Sequence, residues 1–243
     1  GELAGDVRGF GGEPARQRIW ETATEVGSVF QNPRSQFFTT DPVSEIAFGC
    51  ENLGLDAGTT RARVEENLRR FGLDALRERS IFALSGGEKQ RLACASVAAT
   101  EPRLYVLDEP SANLDASATA RLRQAMAAWK AAGAAIVVAE HRLGYLRELV
   151  DRLILLDHGR IVGEYAGERF RAMDEAGLAA RGLRRIRVPE PPMAAAGEDA
   201  AALEIVDLEY RHARRKVPGV PLRDSEPVLR LDRLAIPRGK VTA

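Results

Sequence analysis

The sequence predicts an α/β fold built on a parallel sheet, and three observations carry that prediction. Two short runs, Leu104-Tyr105-Val106-Leu107 and Ile136-Val137-Val138-Ala139, are apolar throughout, as strands buried inside a parallel sheet are. Amphipathic helical patterns alternate with them: Gly87 to Thr100, stopped by Pro102, and the stripe Leu122, Ala125, Met126 and Trp129, closed by Gly133. Turn-forming residues separate each strand from the next helix. Such alternation predicts a sheet covered by helices on both faces.

The remaining elements follow in chain order. Asp6 to Phe10 is a short β-like run ended by Gly11-Gly12. Val26 to Phe30 reads as a strand stopped by the turn Gln31-Asn32-Pro33. Asp41-Pro42 has the residues of a helix start, an acid at the cap and a proline at the first position. A further helix is expected from about Thr60, with Val64, Leu68 and Phe71 on one face and Gly72 at its end. Past the second apolar strand, Leu153 to Leu156 and Arg160 to Val162 flank Asp157-His158-Gly159 as a hairpin. From Val188, Pro189, Pro191 and Pro192 followed by Met193 to Gly197 read as a linker. Leu203 to Tyr210 and Val228 to Ile236 then alternate at period two, which predicts strands of another domain.

Composition narrows the function classes. At 243 residues the chain has room for one or two domains. Acids and bases balance at 35 each, so no global field favours nucleic acid or an acidic surface. Arg181 to Arg187 and Arg211 to Lys216 are local basic runs, read as solvated. The longest apolar stretch, Ala134 to Ala139, is too short to span a bilayer. Cys50 and Cys94 lack metal-ligand spacing and read as reduced thiols of a cytosolic protein.

The chemistry lies between residues 84 and 141. Asp108 ends an apolar strand, where open parallel sheets place their ligand crevice. A carboxylate there suits Mg²⁺, and the adjacent Glu109 can orient or deprotonate an attacking water. Ser85-Gly86-Gly87 opens a helix with a hydroxyl and unobstructed backbone N–H groups, a combination that suits phosphate oxygens. Taken alone, that turn reads as a plain N-cap, and two acids at a strand end read as solvated loop carboxylates. His141 follows the second apolar strand and suits a hydrogen bond to a phosphate, while Gln31, between strand and turn, suits a metal or water. The order of these pieces is more specific than any one of them.

Read together, residues 5 to 170 resemble the ATP-binding cassette ATPases. Leu84-Ser85-Gly86-Gly87-Glu88-Lys89-Gln90-Arg91 matches the signature motif, Leu104 to Glu109 the Walker B strand and Ser111-Ala112-Asn113-Leu114-Asp115 the D-loop. Gln31 falls at the Q-loop and His141 at the switch position. The segment from Val29 through Glu45-Ile46-Ala47-Phe48-Gly49 to Gly54 resembles the cobalt and energy-coupling-factor importers of vitamins and metals. The resemblance implies a P-loop NTPase-like domain over residues 1–170, with a helical subdomain over about 32–100. It also implies two cassettes sandwiching two ATP molecules. Ser85, Gly86, Gly87 and Glu88 would serve an ATP held by a second cassette, and the D-loop Asp115 would also be nucleotide-binding. Asp108 and Gln31 would hold Mg²⁺, with Glu109 and His141 as catalytic groups for the ATP of their own cassette. An integral membrane subunit would dock near Gln31, at the cytoplasmic face of the membrane, and no nucleic acid is involved.

The departures from the family pattern carry their own expectations. No Gly-x-x-x-x-Gly-Lys-Ser/Thr phosphate loop occurs; Gly9 to Gly12 and Gly239-Lys240-Val241 lack its Lys-Ser/Thr pair. The expected organisation is a partial first cassette (1–170), a helical tail and linker (171–202), and the opening strands of a second cassette (203–243). That describes an internal piece of a tandem two-cassette protein, inactive by itself and with part of its sheet uncovered. Tyr210 or His212 would stack on adenine in the second cassette. The alternatives are a non-transport cassette ATPase of DNA repair or the ribosome, or a non-hydrolysing module that lends its signature helix. Neutral charge, the lack of zinc-type cysteine pairs and a short Ala/Pro linker stand against the first of these.

Overall fold

The computed structural model describes residues 5, 7–9, 12, 13, 16–186, 201–210 and 229–237. They fall into two units, within residues 1–188 and 189–243. In the first unit, β1 (Val26–Val29), β2 (Leu104–Asp108) and β3 (Ala135–Ala139) form a parallel sheet in the order β1-β2-β3. Val29 is level with Leu107, and Leu107 with Val138, so the three strands end together. Between β1 and β2 the chain forms α2 (Pro42–Asn52), α3 (Ala57–Phe71) and α4 (Gly86–Ala99), preceded by a short α1 (Ile19–Glu25). Helix α5 (Ala116–Ala131) is the crossover from β2 to β3.

Local chemistry explains where these helices begin and end. Asp41 caps α2 by accepting the Ser44 N–H at 2.9 Å, with Pro42 at the first position, as its sequence predicts. Helix α3 starts earlier than Thr60, because Asp56 accepts the N–H groups of Gly58 and Thr59 and supplies the cap. The Thr59 hydroxyl, which donates to Asp56 Oδ2 at 2.5 Å, and then those N–H bonds hold the Asp56 carboxyl below its ordinary pKa. Gly72 ends α3 at φ +63, a left-handed turn that costs a residue with a Cβ.

Helix α4 is the hub, packed on α2, α3 and α5 and against β1. Its core neighbours include Ile46, Leu68, Phe71, Leu107 and Leu122. Trp129 of α5 stacks on Tyr105 of β2 with ring centroids 4.0 Å apart and leans on Phe71 of α3 at 6.5 Å. The sheet is covered on one face only among the described residues. Tyr105 and Leu107 are buried, whereas Val106 and Val137, on the opposite face, are 36% and 57% exposed. The apolar runs predicted cover on both faces; the described helices lie on the side of Tyr105 and Leu107.

After β3 come the antiparallel hairpin β4 (Arg152–Asp157) and β5 (Arg160–Ala166) and the short helices α6 (Gly167–Arg171) and α7 (Glu175–Ala179). The expected strand at Asp6 to Phe10 is not formed at Val7 and Arg8, although Gly9 and Gly12 share an isolated bridge; Asp6 and Phe10 lie outside the described residues. In the second unit, β6 (Ala201–Tyr210) and β7 (Leu229–Pro237) pair antiparallel, with Tyr210 opposite Leu229 and Arg233 bridging to Glu204 at 2.6 Å. His212, Val228 and the segment Gly239-Lys240-Val241 lie outside the described residues.

Candidate functional site

A parallel sheet directs the C-terminal ends of all its strands to one edge, and this one delivers four candidate residues there. Asp108 is the last residue of β2, exposed, opposite Ala139 of β3. Glu109 follows at φ +44, a left-handed conformation uncommon outside glycine. Its N–H donates to the Ala139 carbonyl at 2.9 Å, which extends the ladder one residue past the strand and anchors the turn. The Glu109 carboxylate Oε1 lies 3.3 Å from Nε2 of His141, two residues beyond β3. The side chain of His141 is 67% exposed and that of Glu109 only 27%, so the pair sits at a rim with the acid inside. Gln31, two residues past β1, is exposed on the same edge.

Gln36 was not evident as part of this edge. Its amide Nε2 donates to the Ser28 carbonyl at 2.9 Å and its Oε1 accepts the Phe30 N–H at 3.2 Å. The side chain thus stands in for a neighbouring strand and fixes the backbone that presents Gln31. Farther along the same loop, Phe38 and Thr39 donate their N–H groups, and Thr39 its hydroxyl, to the buried Glu45 carboxylate of α2 at 2.8–3.1 Å.

The second cluster is the N-terminus of α4. Ser85 Oγ accepts the Glu88 N–H at 3.3 Å, and Glu88 Oε2 accepts the Ser85 N–H at 2.7 Å, a reciprocal capping box. The Ser85 hydroxyl keeps its own proton to donate. The Gly86 and Gly87 N–H groups are without partners among the described residues, as first-turn donors are; Gly86 is exposed and Gly87 half-buried. This terminus packs on the loop after β2. A Cβ at Gly87 would lie 2.6 Å from the Asn113 carbonyl oxygen, whereas one at Gly86 would stay 3.7 Å from the Asn113 side chain. Gly87→Ala is therefore expected to cost about 1–3 kcal/mol through overpacking, while Gly86→Ala melts close to the parent. Equal melting temperatures for the two variants would refute this contact.

Asp115 ends the loop as the N-cap of α5, its Oδ1 accepting the Ala118 N–H at 2.7 Å. Ser111, fully buried, donates its hydroxyl to Glu140 Oε1 at 2.7 Å. Arg142 donates from Nη1 to the carbonyls of Ser111 and Leu114. Burial and the nearby Glu140 carboxylate raise the pKa of the Tyr145 hydroxyl. Burial alone raises that of Cys94, to about 12, and both cysteines are free, buried thiols. Glu140 and Arg142, on either side of His141, were given no role by the sequence, whereas Asn113 lies within the Ser111–Asp115 run matched to the D-loop.

Together the two clusters offer carboxylates for a cation, an acid–imidazole pair and free helix N–H donors, which suits phosphoryl chemistry. Residues 2–112 match the family described as ABC transporter. The chain is 42% identical over 186 residues to a Treponema denticola protein whose name places it among ABC transporter ATP-binding proteins. That match covers 76% of this chain, which spans only 38% of the relative's length. It is 39% identical over 184 residues to the energy-coupling factor transporter ATP-binding protein EcfA of Methanoculleus marisnigri, covering 75% of this chain and 64% of that protein. Among solved structures it is similar to cbiO1 from Clostridium perfringens, part of the ABC transporter complex cbiONQ. There the TM-score is 0.58 at 27% identity, covering 71% of this chain and 69% of the other.

Proposed function

The chain belongs to the ABC transporter family of ATP-binding proteins, and from that premise we propose that it hydrolyses ATP to energise an importer of a vitamin or metal ion, of the energy-coupling-factor type. The observation that carries the hydrolytic reading is the Glu109–His141 pair, 3.3 Å apart beside Asp108 at the C-terminal edge of a parallel sheet. The importer reading is supported by the likeness to EcfA and cbiO1.

Asp108, with Gln31, is assigned to Mg²⁺. Among the described residues no group of three or more His, Cys, Asp or Glu side chains could hold a metal by itself. Mg²⁺ takes one or two carboxylates and completes its shell with substrate phosphates and water, and the exposed Asp108 at the end of β2 would supply a carboxylate of that kind. When bound, the ion supplies neutralising charge to the phosphate oxygens. Glu109 orients the attacking water and accepts its proton, and His141 holds Glu109 and donates to the γ-phosphate. The Ser85 hydroxyl and the N–H groups of Gly86 and Gly87 bind the γ-phosphate of an ATP held by a second cassette. Glu88 fixes Ser85 for that task, and Asp115 acts through the cap of α5 on the loop beside it. The phosphate cradle is assigned to a loop other than those in these residues. Gln31 and the helical layer behind it form the face for an integral membrane subunit at the cytoplasmic side; no helix among the described residues is long and apolar enough to cross a membrane.

Phosphate release from ATP by the intact protein is the test. Turnover is expected with Mg²⁺ and should fall to background when EDTA removes the ion. Turnover that persists in EDTA, or none with Mg²⁺, would overturn the reading.

A further inference from the structure

We propose that Arg142 and Glu140 are positioning residues that lock the Ser111–Leu114 loop, and with it the N-terminus of α4, to the strand end carrying His141. The proposal rests on the hydrolytic reading above and extends it to residues outside the motifs. Glu140 Oε1 accepts two donors, the Ser111 hydroxyl at 2.7 Å and the Arg142 N–H at 3.0 Å. Arg142 closes the same loop from the other side, its Nη1 donating to the carbonyls of Ser111 at 3.0 Å and Leu114 at 3.2 Å. Each bond has a charged partner, and Ser111 is fully buried, so water does not compete at its hydroxyl.

His141, between these two residues, meets Glu109 instead. Three consecutive residues thus grip both the catalytic acid and the loop that follows it. The loop in turn carries the Asn113 carbonyl against which Gly87 packs. A displacement of His141 is therefore passed to the donors of α4 through bonded and packed atoms rather than through solvent.

Hydrogen–deuterium exchange and steady-state kinetics on the intact protein test the clamp. The readout amides are Ala112, which donates to Glu109, and Leu114, which donates to Ser111. Arg142→Ala is expected to speed exchange at both by about ten-fold or more, the equivalent of one charge-assisted hydrogen bond. It should also lower kcat by a similar factor with KM for ATP held within about two-fold, the pattern of a lost transition-state contact. Arg142→Lys, which can still reach one carbonyl, should recover part of both. Exchange at these two amides unchanged from the parent in either folded variant would overturn the clamp, as would an unchanged kcat. If Arg142→Ala does not fold, Arg142→Lys decides by the same two readouts. Exchange needs no nucleotide: a parent protein without turnover would sink the hydrolytic reading, and exchange would still judge the clamp.

Discussion

Glu109→Gln in the intact protein will lose ATP turnover by about 10²–10⁴-fold, the usual worth of a positioned general base, while still binding ATP. The substitution keeps the shape of the side chain and removes only its ability to take a proton. Its backbone will hold, because the anchor is the Glu109 N–H on the Ala139 carbonyl at 2.9 Å, which does not involve the side chain. The left-handed turn at φ +44 is equally available to both residues. The Gln amide can also still meet His141. Phosphate release and binding of a fluorescent ATP analogue, measured side by side, separate chemistry from affinity. Turnover within a few-fold of the parent would remove Glu109 from the mechanism.

The largest effect on stability is expected at Trp129. Its side chain is 5% exposed and joins three elements, stacking on Tyr105 of β2 and leaning on Phe71 of α3 from its place on α5. Trp129→Ala should cost about 3–5 kcal/mol, the range for truncating a buried aromatic residue. Against a total stability of about 5–15 kcal/mol, that is enough to leave a sizeable unfolded fraction. Trp129→Phe should cost far less, because the ring packing survives and the buried indole N–H has no partner to lose. Urea unfolding gives both values, with the exposed Trp20 as a remaining fluorophore. Similar midpoints for the parent and Trp129→Ala would mean that the stack does not hold the sheet to the helices. Loss of the stack would also reach the site, since Tyr105 lies three residues before Asp108 on the same strand.

Much of the site was legible because its parts are local. A strand that ends in Asp108 and a Ser85-Gly86-Gly87 turn that opens a helix are each settled within about four residues of chain. The stripe of Leu122, Ala125, Met126 and Trp129 was legible for the same reason, since one helical period sets which face is buried. The early start of α3 was missed because Ala57, Gly58 and Thr59 carry no apolar periodicity. Only the Asp56 side chain, bonded to the N–H groups of Gly58 and Thr59, marks that end.

The sequence by itself determined which chemical groups are present, their order, and the helices and strands that carry them, because caps, turns and periodicity are short-range physics. Tertiary structure alone decided which of those groups meet. Glu109 reaches His141, Gln36 fastens the end of β1, and Gly87 must be glycine because the Asn113 carbonyl lies against it. It also decided that Glu140 and Arg142 hold the loop after β2. Many of these contacts join residues far apart in the chain. They depend on the register of β1, β2 and β3 and on the packing of α4 and α5, neither of which leaves a mark on the residues in contact.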